Sequence, residues 1–266
     1  MPKRLLYTFI FILSPFFFLS AQVYFEADPF RLLSHEKSYF VSGSSPASLL
    51  FRPSFQPMSG TQNNRWSLTV RAEYFENDNA PNLENSSVRW IGKGVSRFRS
   101  LRLSYSGEFL SFSIEPYHFE NENLDYDVPV RKGLNSKLND NRPHSEMPFI
   151  SSGVREAQLF IHYRGIGIGT SNANMWWGPG IHSSLQMTSN TVGFNYFSVG
   201  TIREKRISKL GIDLRYLFAP MDYGSSTESY FSALLLQIST YTEPVFRFGF
   251  SRSYLSGPGI WGVDWA

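Results

Sequence analysis

The chain has no cysteine. An exported protein built this way has no disulfide framework, so backbone pairing and burial must hold it. Without thiolates, and with His35, His118, His144, His162 and His182 at no ligand spacing, it has no zinc site. It also lacks a Gly-x-Ser-x-Gly elbow and a phosphate-binding loop, so neither hydrolase nor nucleotide chemistry has its usual motif. An excess of one charge is missing too: 25 basic residues stand against 22 acidic ones, a formal net charge of +3. With no basic cluster, nothing supports a nucleic-acid partner.

Long apolar runs are confined to the start of the chain. Lys3 and Arg4 precede the Phe-rich core Leu5–Leu19, and Leu19-Ser20-Ala21 offers a small-residue cleavage site before Gln22. Residues 1–21 therefore read as a signal peptide, too short and too interrupted by Pro15 for a membrane anchor. Removing Lys3 and Arg4, with no acid in the segment, takes the net charge from +3 to +1. No second apolar stretch of helix-spanning length follows, so a membrane could be crossed only by strands. Aromatics make up 17% of the chain while mean hydropathy is slightly negative. That pairing suits a barrel with aromatic girdles and a polar lumen. It also suits a secreted β-sandwich, and composition leaves both open.

Residues 22–64 read as an irregular segment of short strands or a helix. From 65 to 266 the pattern is one of strands, because apolar residues recur with period two. Trp66, Leu68, Val70, Ala72 and Tyr74 alternate with Ser67, Thr69, Arg71 and Glu73. The same alternation marks 101–105, 110–114, 157–163, 166–168, 192–196, 210–218, 234–238 and 246–250, nine candidate strands in all. Their connections alternate in length. Those at 77–96, 119–154, 171–190 and 219–228 are long; those at Gly107, Arg164-Gly165 and 241–244 are tight, with a shorter charged one at 202–208. Segregated loop lengths are expected of an outer-membrane barrel with long extracellular loops and short periplasmic turns. The expected fold is therefore an all-β, antiparallel transmembrane β-barrel.

One stretch stands apart: Asn172-Ala-Asn174-Met-Trp176-Trp177-Gly178-Pro179-Gly180, followed by Ser184-Leu185 and Ser189-Asn190. Adjacent side chains on a strand point to opposite faces, so the two indoles diverge. Gly-Pro-Gly then makes a rigid turn. The rings could close a corner of the β-structure or form a platform for sugar C–H groups. These residues resemble the Wzi family of capsule-assembly outer-membrane proteins. The close likeness covers about residues 155–201, and the proline that the family pattern has shortly after the second Asn is absent, Thr191-Val192-Gly193 following Asn190. The resemblance implies an incomplete barrel, the N-terminal part of a longer protein with about nine strands of a larger barrel.

It further implies a lectin-like protein, not an enzyme, that attaches or organises capsular polysaccharide or exopolysaccharide at the cell surface. No cofactor follows from it, and the other partners are outer-membrane lipid and lipopolysaccharide. The motif positions Asn172, Asn174, Trp176, Trp177, Gly178, Pro179, Gly180, Ser184 and Asn190 become the candidate polysaccharide site. Arg71, Arg102, Arg155, Arg164, Arg215 and Arg247 lie on or beside polar strand faces, which face a barrel's lumen. They can pair with lumen acids or with an anionic polymer. Glu115, Glu120, Glu122, Asp125 and Asp127 form an acidic run, either a solvated loop or a divalent-cation site. A porin-like channel and a secreted carbohydrate-active β-protein are the alternatives.

Overall fold

In a computed structural model the chain is all-β and antiparallel. It describes residues 23–28, 30–31, 50–56, 65–81, 84–126, 147–180, 183–184, 186–221, 229–242 and 244–257; the signal segment 1–21 and Asp127 lie outside them. The strands are β1 Val23–Phe25, β2 Phe51–Arg52, β3 Ser54–Gln56, β4 Arg65–Asn77, β5 Gly94–Ser106, β6 Leu110–Asn121 and β7 Phe149–Tyr163. They continue as β8 Ile166–Ser171, β9 Trp176–Trp177, β10 Tyr196–Thr201, β11 Lys205–Ile207, β12 Leu210–Met221, β13 Ser229–Thr240 and β14 Phe246–Ser256.

One sheet carries the architecture, with β4, β5, β6, β7, β8, β10, β12, β13 and β14 as successive neighbours and β11 beside the start of β12. Nine strands in an antiparallel meander put every long connection at one end and every tight turn at the other. Arg164 and Gly165 both have positive φ, 51° and 81°, the backbone of a two-residue hairpin turn whose twist matches its strands. Among the described residues β4 and β14 each lack a second neighbour, so the sheet is open rather than closed into a barrel.

The strands are staggered. A row of paired residues begins at Trp66, beside the start of β4, and crosses Tyr105, Phe112, Leu159, Thr170 and Phe197. It arrives at Phe218, close to the far end of β12. Stagger of this sense accompanies strands that tilt across a sheet's axis.

Burial on the two faces is inverted relative to a water-soluble sheet. Val70, Leu101, Ile114, Leu159, Ile161, Ile168, Val199, Leu214 and Leu234 are exposed, Val70 at 63%. On the opposite face Arg71, Arg102, Glu115, Gln158, Asp213 and Gln237 are buried. Aromatic pairs bracket the aliphatic band. Trp66 packs on Tyr105 (4.8 Å between centroids) and Phe109 stacks on Tyr163 (5.5 Å) near the tight turns. Phe218 stacks on Tyr230 (5.6 Å) near the long connections.

The residues before β4 account for the burial of the charged face. β1 and β3 pair with each other, β2 pairs with β9, and together they lie across the inner face. Tyr24 and Phe55 pack with Phe160 and Ile202; Phe51 packs with Trp177, Tyr196, Leu217 and Leu235. Phe160 lies over Gly169, where a Cβ would run into the Leu159 carbonyl oxygen and the Phe160 ring.

Several boundaries differ from the sequence reading. Residues 192–195 are not strand: Asn174 Nδ2 donates to the Thr191 carbonyl (2.8 Å), and Gly193 abuts the Asn172 backbone, so the segment belongs to the preceding loop. The strand expected there is β10, four residues later. The 119–154 connection is shorter than expected because β6 extends to Asn121 and β7 starts at Phe149. The charged 202–208 connection contains β11.

Gly169→Ala should lower the denaturant midpoint of the folded protein by an amount equal to about 1–3 kcal/mol, the usual cost of forcing atoms into a close-packed contact. The same substitution at Gly257, where a Cβ meets open space, should change it little.

Candidate functional site

The motif loop leaves β8 and is fixed by its own side chains. Asn172 accepts from the Ala157 amide (2.9 Å) and donates to the Val154 carbonyl (3.0 Å), bridging an irregularity in β7. There two residues, Glu156 and Ala157, oppose Ile114 alone, and Glu156 adopts φ 52°. A bulge of this kind reverses the phase of a strand. Before it the odd-numbered residues of β7 face inward; after it the even-numbered ones do. Arg155 and Glu156, adjacent in sequence, therefore both point to the inner wall, and both are buried.

Trp176 and Trp177 are buried, Trp176 completely. The Trp176 indole N–H donates to the Gly180 carbonyl (2.8 Å), and the Arg52 guanidinium lies over its ring, 5.1 Å from the centroid. Trp177 packs on Phe231 within the larger apolar cluster. Gly178, at φ 145°, turns the chain, and its amide donates to the Leu50 carbonyl (2.8 Å). The Ser184 hydroxyl bonds the Trp177 carbonyl. Asn190 accepts from the Asn85 amide (2.7 Å), clasping the β8–β10 loop to the β4–β5 loop. Pro179, with Gly178 and Gly180, borders an open groove of about 860 Å³ that reaches Arg247 on β14.

The inner wall beneath carries a second constellation. Arg71 (β4), Arg102 (β5), Arg155 (β7) and Arg89, from the β4–β5 loop, converge on Glu26 and Asp28 of the N-terminal segment. Asp28 Oδ2 receives Arg89 Nη2 (2.8 Å) and lies 3.4 Å from both Arg71 Nη1 and Arg155 Nη2. Glu26 is bridged by Arg71 and by Arg102 Nη2 (2.7 Å). Wall acids complete the set: Glu115 takes Arg102 Nε (2.8 Å) and the Ser100 hydroxyl (2.6 Å), and Glu73 takes Arg89 Nε (2.7 Å). The Tyr24 hydroxyl donates to Glu156 (2.6 Å). Arg89 is completely buried and lies over Phe98 (4.3 Å). Burial alone would raise the Asp28 carboxyl, but the Arg89 and Arg155 guanidiniums outweigh it and hold it below the usual carboxylate range, so Asp28 is charged.

Of the arginines singled out in the sequence, Arg71, Arg102 and Arg155 meet in this cluster. Arg215 lies further along the wall, bonded to Asp213 (2.8 Å) and to the Pro53 carbonyl (2.7 Å). Arg247 is half-buried at the groove. Arg164 is not on the inner wall: it occupies the exposed β7–β8 turn, over the Tyr163 ring (5.2 Å). A residue at a two-residue turn has no strand phase, so alternation could not place it.

The acidic run is dispersed rather than convergent. Glu115 joins the arginine cluster, Glu120 faces Arg97 (3.4 Å), and Glu122 accepts from the Val95 amide (2.9 Å). Among the described residues no group of three His, Asp or Glu side chains is placed to hold a metal ion. The sequence reading overlooked Glu26, Asp28, Arg89 and Glu156. Its one available sign was the Glu26-Ala-Asp28 spacing, which sets both carboxylates on one side of an extended chain. Comparison with family models, with curated proteins and with solved structures finds no match.

Trp177→Ala should cost about 3–5 kcal/mol of stability, the range for removing a buried aromatic from a packed core. Denaturant unfolding of the folded protein measures it. A loss below about 1 kcal/mol would mean that the cluster does not depend on this ring.

Proposed function

We propose that this chain forms part of an outer-membrane β-barrel of the Wzi type, which attaches or organises capsular polysaccharide or exopolysaccharide at the cell surface. One observation carries the membrane reading: the sheet is apolar where it is exposed and charged where it is buried. In water an apolar face of this extent is a liability. In lipid it is the required arrangement, with aromatic rows at the interfaces and polar groups toward the lumen. Hydrocarbon does not tolerate open strand edges, so β4 and β14 must be covered in the membrane.

The polysaccharide reading rests on the motif and on the filled inner face. In a porin-like channel this wall would line water. Here the N-terminal segment and the inward-folded residues 85–90 occupy it, which favours a protein that holds a polymer over one that conducts solutes. The motif residues serve mainly to build the loop. Its accessible surface is the groove beside Gly178–Gly180, where Ser183, Ser184, Gln186, Ser251 and Arg247 offer polar groups. The work is non-covalent and needs no cofactor. Lipid and lipopolysaccharide are the partners of the outer face.

Val70→Arg tests the membrane assignment. In lipid vesicles it should destabilise folding by about 2–4 kcal/mol, the cost of an arginine on the lipid face near the midplane. On a water-facing sheet an exposed position should tolerate the change within about 0.5 kcal/mol, and that result would refute the assignment. Loss of surface polysaccharide on deleting the gene, with restoration by the intact chain, tests the functional half. An epitope tag at Asn79, in the β4–β5 loop, should be reached by antibody on intact cells.

A further inference from the structure

The arginine cluster is a contact between two separate parts of the chain. Arg71, Arg102 and Arg155 belong to the sheet, and Arg89 to a loop docked on it. Glu26 and Asp28 belong to a segment whose strands, among the described residues, pair with each other and with β9, and whose Phe55 amide donates to the Ile202 carbonyl (3.3 Å). Without the Glu26 and Asp28 side chains, four of these buried arginines meet three acids, Glu73, Glu115 and Glu156, one fewer than their number (4 − 3). Buried guanidiniums are costly unless carboxylates meet them. The two carboxylates of the segment do so from several sides, in the forked geometry that guanidinium favours. Phe98, beneath Arg89 (4.3 Å) and Arg155 (5.7 Å), and Tyr24, beneath Arg102 (5.1 Å), add flat apolar surfaces.

We propose that Arg71, Arg89, Arg102 and Arg155 form a carboxylate-binding site on the inner wall, held in the resting state by Glu26 and Asp28 as an intramolecular ligand, and that a glycan bearing uronate carboxylates can take their place. The proposal rests on the polysaccharide reading and deepens it by naming the sugar class. Its chemistry is an exchange of carboxylates: the guanidiniums keep their charge and their number of partners, and no bond is made or broken. A tethered carboxylate competes at an effective concentration on the order of millimolar. A single uronate is therefore a poor competitor, and several linked uronates are required.

The test uses oligogalacturonate as probe and neutral dextran as control, on the full chain folded in lipid vesicles. Glu26→Gln with Asp28→Asn keeps the shape of the segment and removes its charge. This variant should bind oligogalacturonate about tenfold or more tighter than the unaltered chain, the gain expected from removing a millimolar internal competitor. Adding Arg102→Gln should abolish the gain, and dextran should bind neither form. A variant that folds into vesicles but binds oligogalacturonate no better overturns the proposal and leaves the membrane reading intact. Failure of the whole barrel, with β4 and β14 covered, to fold into vesicles sinks the membrane reading instead.

If the double variant does not fold, the cysteine-free chain provides the second measurement. Ala27→Cys places the only thiol at a fully buried position between the two acids. Oligogalacturonate should accelerate its maleimide labelling several-fold and dextran should not. Equal rates with and without oligogalacturonate would overturn the proposal.

Discussion

The structure depends on one requirement: its guanidiniums must meet carboxylates out of water. Four arginines on the inner face are buried, and each has at least one acidic partner within 3.5 Å. Remove the acids and the wall holds uncompensated charge, an arrangement that costs several kcal/mol per ion. That necessity explains why the N-terminal segment crosses the sheet, why Glu26 and Asp28 sit where they do, and why β7 carries a bulge. The bulge turns Arg155 and Glu156 to the same side. A regular strand would have sent one of them outward among Leu159 and Ile161.

The outer face obeys the complementary rule. Having placed its charges inside, the sheet leaves aliphatic side chains outside, bracketed by aromatic pairs. Nothing in the described residues covers that face, and on the membrane reading proposed above lipid does so. The same inversion sets what the motif loop can do. Its tryptophans supply the apolar packing that holds the N-terminal segment against the sheet, so the rings that drew attention in the sequence act as an internal anchor. The rim of the groove beside Gly178–Gly180 is left as the motif's open surface.

Much of this was legible in the sequence because alternation is local. Val70 and Arg71 announce opposite faces wherever the strand goes, and the Arg164-Gly165 turn announces a hairpin. Alternation marks nine strands, and the sheet has nine in succession, although the sixth begins at Tyr196 rather than Val192. What was not legible is non-local. Glu26 meets Arg102 across 76 positions and Asp28 meets Arg155 across 127, and no period links them. The bulge at Glu156 was invisible for another reason: a single extra residue breaks the alternation without leaving a marker residue. Arg164 was misplaced by extending strand phase into a turn.

The central claim is that one face of this sheet meets lipid while the other meets the chain itself. A cysteine scan through β12 measures it directly, because the chain has no cysteine of its own. With single nitroxide labels from Leu210 to Phe218 in vesicles, accessibility to a lipid-soluble relaxant should peak at Leu210, Ile212, Leu214, Tyr216 and Phe218. It should fall at Gly211, Asp213, Arg215 and Leu217. Uniform accessibility, or greater exposure of the first set to a water-soluble relaxant, would contradict the account.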